Sequence, residues 1–327
     1  MDCARTVEVV TVSVMTHRTS GVAALSVCVL LTGAATVAGQ AATRARPDAY
    51  RAEIRAFQAE RTAGLQADDG WLTVAGLFWL KPGPNVAGSA PGSDVLLPRK
   101  APARLGVFEL KDGRVTFLPD PAAHVTSAGK HLGTAAFEAP KDDETALEVR
   151  DLRLFVIQRE DRFGVRMRDL RSAARRGFTG LKFFPIRPAY RVSATFVPYE
   201  QPRKVVVPNV LGQALEMTSP GYVTFTLAGK QLRLEPVYES DERSDLFFIF
   251  KDLTSRDATY GAGRFLYAPL PKGGTVDLDF NRAYNPPCAY TDFATCPLPP
   301  KQNQLDVRIE AGELAYHVRG AVPLRRR

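Results

Sequence analysis

Apolar residues recur along most of the chain in short runs, often alternating with polar ones, and each run ends at a turn signal. Residues 107–110 and 115–118 flank Lys111-Asp112-Gly113-Arg114, and an Asp-Gly pair between such runs predicts a hairpin. Further runs at 152–158, 164–168, 190–197, 204–207, 222–227, 231–238, 246–250, 264–267 and 276–280 predict strands, with 307–310 as the last. Ala228-Gly229-Lys230 reads as another hairpin turn, and Pro82-Gly83-Pro84-Asn85 cuts the Trp-rich stretch 71–80 into short pieces. One segment breaks this rhythm. At 48–66, Tyr50, Ile54, Phe57 and Leu65 follow helical spacing, while Arg51, Glu53, Arg55, Glu60 and Arg61 fall on faces expected to meet water. Many short strands with one long helix predict a mainly β fold, an antiparallel sandwich or partly open barrel with the helix packed on one end. An α+β split barrel is the alternative. Trp71, Phe78, Trp79, Phe183, Phe225, Phe247 and Phe265 are the expected core.

The first forty residues follow a different pattern. Residues 21–37 are small and apolar, His17 and Arg18 precede them, and Val37-Ala38-Gly39 offers a cleavage context. This predicts a secretory signal peptide over 1–39, with 1–14 an over-extended start and an uncleaved anchor as the alternative. Residues 40–47 then form a flexible lead-in, 48–315 a single β-rich domain that a division near 187–198 would separate into two lobes, and 316–327 a basic tail. The predicted address is export, periplasmic or extracellular, with no membrane span in the mature chain.

Charge adds little to this picture. The net charge of +8 belongs wholly to the part after residue 39, because Arg5 and Arg18 balance Asp2 and Glu8 before it. Such an excess invites anionic partners, but no run interleaves basic and aromatic residues as single-strand binders do, so nucleic acid is not an expected partner. The basic group Arg166, Arg168, Arg171, Arg175 and Arg176 reads as a solvated face. His124, His131 and His317 are scattered, and the chain has no H-E-x-x-H, G-x-S-x-G or phosphate-loop motif. No metal or cofactor is therefore expected.

The candidate chemistry concentrates in residues 277–300, which hold five prolines, two cysteines and two tyrosines. Prolines this dense exclude a helix or a central strand and predict a rigid loop. Cys288 and Cys296 are expected to form a disulfide, since the other two cysteines, Cys3 and Cys28, leave with the signal. A reactive thiol and a metal site are the alternatives for this pair. Asp277 and Asp279 point the same way from a strand, Asp279 where the strand meets the loop. In Tyr260-Gly261-Ala262-Gly263-Arg264 the glycines allow a tight turn, and Arg264 enters an apolar strand, where it needs an acidic partner or an anionic ligand. Asp279 is the expected partner.

The segments LFFIFKDLTSRDATYGAGRFLY and LDFNRAYNPPCAYTDFATCPLPPKQNQL resemble an uncharacterised bacterial family catalogued as domain of unknown function 1684. GWLTVAGLFWL and FPIRPAYRV look like its earlier motifs, so the resemblance runs from about Tyr50 to Glu313. The family often has an acidic residue where Arg187 stands, which weakens any role for that position. The family has no assigned function, so the resemblance implies no reaction. It implies one constellation: Tyr260, Gly261, Gly263, Arg264, Asp279, Asn281, Tyr284, Asn285, Cys288 and Cys296. The expected function is an exported module that binds a small polar or anionic ligand at the Asn-Pro-Pro-Cys loop, through Tyr260, Gly263, Arg264, Asp279, Asn281, Tyr284 and Asn285. The alternative is a hydrolase-type enzyme with Asp279 as base and Arg264 beside it.

Overall fold

A computed structural model describes residues 47–240 and 242–316. The expected signal peptide with Cys3 and Cys28, the lead-in up to residue 46, His317 and the rest of the basic tail lie outside the described residues. Within them the fold is mainly antiparallel β with one long helix, Pro47–Gln66, and no sheet closes into a barrel. No described helix is long and apolar enough to cross a membrane.

Two large hydrophobic cores, with three smaller clusters beside them, take up most of the strands. The first lies between a six-stranded and a five-stranded sheet. In the six-stranded sheet, Val74–Trp79 pairs with Arg162–Asp169, which pairs in turn with Leu152–Arg159. The five-stranded sheet is built on Gly83–Gly88, Gly106–Lys111 and Arg114–Pro119. Asp112 and Gly113, at φ 51° and 72°, make the predicted two-residue hairpin turn. Phe108 and Phe117 from one sheet meet Leu152, Leu154, Val165 and Met167 from the other.

The second core gathers Phe225, Leu246, Phe248, Phe250, Leu266, Leu278 and Phe280. Its four-stranded sheet runs Lys230–Leu234, Ala214–Leu227, Arg191–Pro208, Thr275–Asp279. The runs expected at 190–197 and 204–207 are one strand, Arg191–Pro208, whose register slips between Pro198 and Arg203. Pro198 and Pro202 lack the N–H that a regular ladder needs, so the slip falls where they sit. Asp245–Phe250 and Arg264–Pro269 form a separate ribbon beside this sheet.

Two expectations are corrected here. Residues 307–310 are not a strand; Val307 and Ile309 are buried in the second core from an irregular segment whose backbone bonds other groups. Of the expected core, Phe225, Phe247 and Phe265 are buried, whereas Trp71, Phe78, Trp79 and Phe183 are half-buried.

The strand Arg162–Asp169 is buried on both faces. Val165 and Met167 enter the first core, so alternation sends Arg166 and Arg168 to the opposite face. There the cysteine loop packs: Arg159 Nε donates to Thr295 Oγ1 at 2.8 Å, and Thr291 Oγ1 donates to the Val74 carbonyl at 2.9 Å. The basic group therefore splits. Arg166 and Arg168 are buried, while Arg171 and Arg176 remain exposed.

Candidate functional site

The turn at 260–264 and the cysteine loop are tied together. Tyr260 donates its hydroxyl to the Cys288 carbonyl at 3.1 Å, and burial pushes that phenol up to about 12. Gly263 has φ 109°, and a Cβ there would lie 2.5 Å from Pro299 Cγ and 2.6 Å from the Phe250 carbonyl. Only glycine fits under this part of the loop.

Arg264 does not face a ligand. It is 0% exposed. Nη2 bonds Asp252 Oδ1 at 3.1 Å and the Ile309 carbonyl at 3.0 Å, and Nη1 bonds the Ala311 carbonyl at 2.5 Å. Burial draws its pKa down and Asp252 opposes the fall. The expected pairing with Asp279 is replaced by Asp252, an aspartate twelve residues earlier that also caps the short helical turn Leu253–Arg256. Strand Arg264–Pro269 pairs with Asp245–Phe250 and turns this side chain toward the irregular segment after residue 305.

Asp279 is held elsewhere. Both its oxygens accept from the Tyr50 hydroxyl at 2.9 Å, and Oδ1 also accepts from the Asn281 amide and side chain at 3.0 Å. Asn281 in turn donates to the Tyr50 hydroxyl and the Arg187 carbonyl. Burial raises the Tyr50 phenol far above its ordinary range, with the Asp279 charge adding to it. Asp279 and its neighbours line a cleft of about 340 Å³ with Glu53, Arg191, Asp245, Tyr267, Asp277 and Arg282. In the cleft Arg191 pairs with Asp277 at 2.5 Å and Arg282 with Glu53. Tyr267, whose ring stacks on Phe247 at 4.8 Å, stands partly exposed in the wall.

Asn285 and Tyr284 belong to a third place, on the inner side of the loop. Glu313 is 0% exposed there. Its Oε1 accepts from Asn285 Nδ2 at 2.8 Å and from the Tyr290 hydroxyl, and Arg61 Nε approaches its Oε2 at 3.5 Å. Burial pushes this carboxyl up to about 7, against the pull of Arg61. Arg61 also donates to the Asn285 carbonyl at 3.0 Å and lies over the Tyr284 ring at 4.7 Å. The helix face expected to meet water thus supplies Arg61 and Glu53 to buried or half-buried partners.

Cys288 and Cys296 are adjacent thiols in this structure. The Cys288 amide donates to Cys296 Sγ at 3.1 Å. A hydrogen bond between the two side chains holds Cys288 below the usual thiol range and pushes Cys296 far up, and burial raises Cys296 further. Beside them stands Arg166, 6% exposed, with Nε and Nη2 buried and without a hydrogen-bond partner among the described residues. Its guanidinium lies 5.2 Å from the Trp71 ring centroid. Burial brings it down to about 10, Arg159 and Arg168 add to the fall, and Cys296 and Cys288 oppose it.

The ten residues expected to form one constellation therefore divide among four places: the Arg264 socket, the Asp279 cleft, the Glu313 cluster and the thiol pair. Sequence reasoning missed Tyr50, Arg61, Asp252, Arg159, Arg166 and Glu313 as members. Asp252 had a local signal, an Asp-x-Thr cap directly after an apolar strand. Tyr50 had none, because it acts across 229 residues of chain, and Glu313 had none, because it joins Asn285 and Tyr290 to an Arg61 that lies 252 residues earlier.

Residues 176–314 match the family described as "Protein of unknown function (DUF1684)". The match takes in the turn, the loop and Glu313, and starts later than the Tyr50 that the N-terminal motifs implied. The solution NMR structure of an uncharacterized protein of Haloarcula marismortui is 35% identical, covering 43% of this chain and 78% of that chain, with a TM-score of 0.37. Nothing among the curated proteins matches.

Proposed function

Taking residues 176–314 as a domain of unknown function 1684, we propose that the protein is an exported β-rich module that binds a small polar molecule in the cleft at the start of the Asn-Pro-Pro-Cys loop. The leader-like pattern of residues 1–39 supports export. One observation carries the binding reading: a cleft of about 340 Å³ whose lining combines Asp245, Asp277, Asp279 and Glu53 with only two guanidiniums and a partly exposed tyrosine ring. That volume is within the range of small-ligand pockets. Carboxylates outnumber guanidiniums, so the cleft favours hydroxyl or amino groups over an anion. Tyr267, stacked with Phe247 at 4.8 Å and with Tyr284 at 6.2 Å, offers its exposed edge for apolar contact. The ion pairs Arg191–Asp277 and Arg282–Glu53 are half exposed and can reopen to a ligand at small cost. Asp279, with its oxygens engaged by Tyr50 and Asn281, fixes the floor.

The test is a calorimetric titration of the mature chain with glucosamine, glucose and putrescine at constant ionic strength. At least one should bind, and Asp277→Asn together with Asp245→Asn should weaken it about tenfold or more, the effect of losing one or two charge-assisted hydrogen bonds. Binding of none of the three, or equal binding to the double variant, overturns the reading.

A further inference from the structure

An arginine buried without a counter-charge is costly to keep. A guanidinium withdrawn from water needs hydrogen-bond acceptors or an anion. Arg166 has Nε and Nη2 buried and open, and no carboxylate pairs with it among the described residues. The groups that oppose the fall in its pKa are the two cysteines. Arg159 stands on the same side, anchored to Thr295 next to Cys296, and the Cys296 charge favours it as well. Tyr260 and Asp292 are the other titratable groups near the pair; Asp292 works against a thiolate at Cys288, and the Tyr260 hydroxyl is engaged by the Cys288 carbonyl. The two residues differ in exposure. Cys296 is 5% exposed, whereas Cys288 is half-buried.

We propose that Cys288 and Cys296 form a reactive dithiol that exchanges with disulfides of small thiols, with Cys288 attacking, Cys296 resolving, and Arg166 as the positioning charge beside the pair. In the first step the Cys288 thiolate attacks one sulfur of a disulfide RSSR. A bond forms between Cys288 and that sulfur, the RS–SR bond breaks, and RS⁻ leaves. In the second step Cys296 gives its proton to the departed RS⁻ and attacks the Cys288 sulfur, breaking the mixed disulfide and releasing the second RS⁻. The dithiol loses two electrons and two protons, and the disulfide gains both as two RSH. Thiolates next to fixed positive charge perform this exchange, and a buried partner thiol resolves it.

None of these groups lines the ligand cleft, so the two readings fail separately. The experiment uses the reduced mature chain, residues 40–327, whose only cysteines are Cys288 and Cys296, and glutathione disulfide, followed by intact-mass measurement and assay of released glutathione. The wild type should lose two hydrogens and release two equivalents of glutathione. Cys296→Ser should retain one glutathione on Cys288, and Cys288→Ser none. Arg166→Met, placed in the Cys296→Ser background, should slow adduct formation about tenfold and move the rate–pH midpoint upward, since the thiolate fraction sets the rate below the thiol pKa. A wild type that keeps both thiols, an adduct that forms as readily at Cys296 as at Cys288, or an Arg166→Met variant that reacts at the parent rate overturns the proposal. The wild-type arm needs no variant to fold.

Discussion

Arg264 and Arg166 are both buried guanidiniums, each entering from a strand, and they meet opposite surroundings. Arg264 has Asp252 at 3.1 Å and two backbone carbonyls, with Nε alone left open. Arg166 has an aromatic ring on one side, two thiols near it, and two open nitrogens. The first arrangement is complete without a partner and reads as architecture: it locks the irregular segment at Ile309 and Ala311 onto the second core. The second is complete only when something anionic faces it. Burial alone does not distinguish a structural arginine from a functional one; the inventory of acceptors does.

The largest effect expected of this contrast is on stability. Arg264→Met removes the counter-charge of Asp252, whose side chain is fully buried, and should cost about 3–5 kcal/mol in denaturant unfolding. A variant with a midpoint near that of the parent would show that Asp252 finds another partner and that the socket is not what holds the segment.

A smaller effect concerns Glu313, whose charge reaches Arg264. Its carboxyl is raised from 4.5 to about 7 in the folded protein. The folded state then binds more protons than the unfolded state between those values, so stability falls as pH rises through that window and levels off above it. The loss should be about 3 kcal/mol across the window, and Glu313→Gln should flatten that part of the curve. A parent curve that is flat or rising there would mean that Arg61 and Tyr290 keep the carboxylate charged.

The smallest effect is the sharpest contrast. Arg166→Met should change stability by no more than about 1 kcal/mol, in either direction, because deleting an unpaired buried charge removes a desolvation penalty along with its packing. A loss as large as that for Arg264→Met would place Arg166 among the structural arginines.

The alternation of short apolar runs made most of the strands legible, and the helical spacing of Tyr50, Ile54 and Leu65 made the helix legible almost to its ends. The Asp112-Gly113 turn could be read because a two-residue hairpin demands positive φ. What could not be read was which face of a strand would be covered. The run containing Arg166 and Arg168 alternates as a half-solvated strand should, and only the arrival of a loop some 120 residues later buries its polar side. The site divided for the same reason. Tyr260, Arg264, Asp279 and Asn285 are near in sequence, but successive strand faces and the turn at the end of Thr275–Asp279 send them to separate places.

The helix Pro47–Gln66 has a consequence in time. Tyr50 bonds a residue 229 positions later, and Arg61 approaches one 252 positions later. At about 5–20 residues per second, the ribosome takes on the order of ten to fifty seconds to deliver those partners. During that interval Tyr50 lacks Asp279 and Arg61 lacks Glu313, while Leu65 has only its nearer neighbours such as Trp71 and Leu72, and a helix of this length with so little of its face packed is marginal in water. The part of the chain made first is thus among the last to find its place.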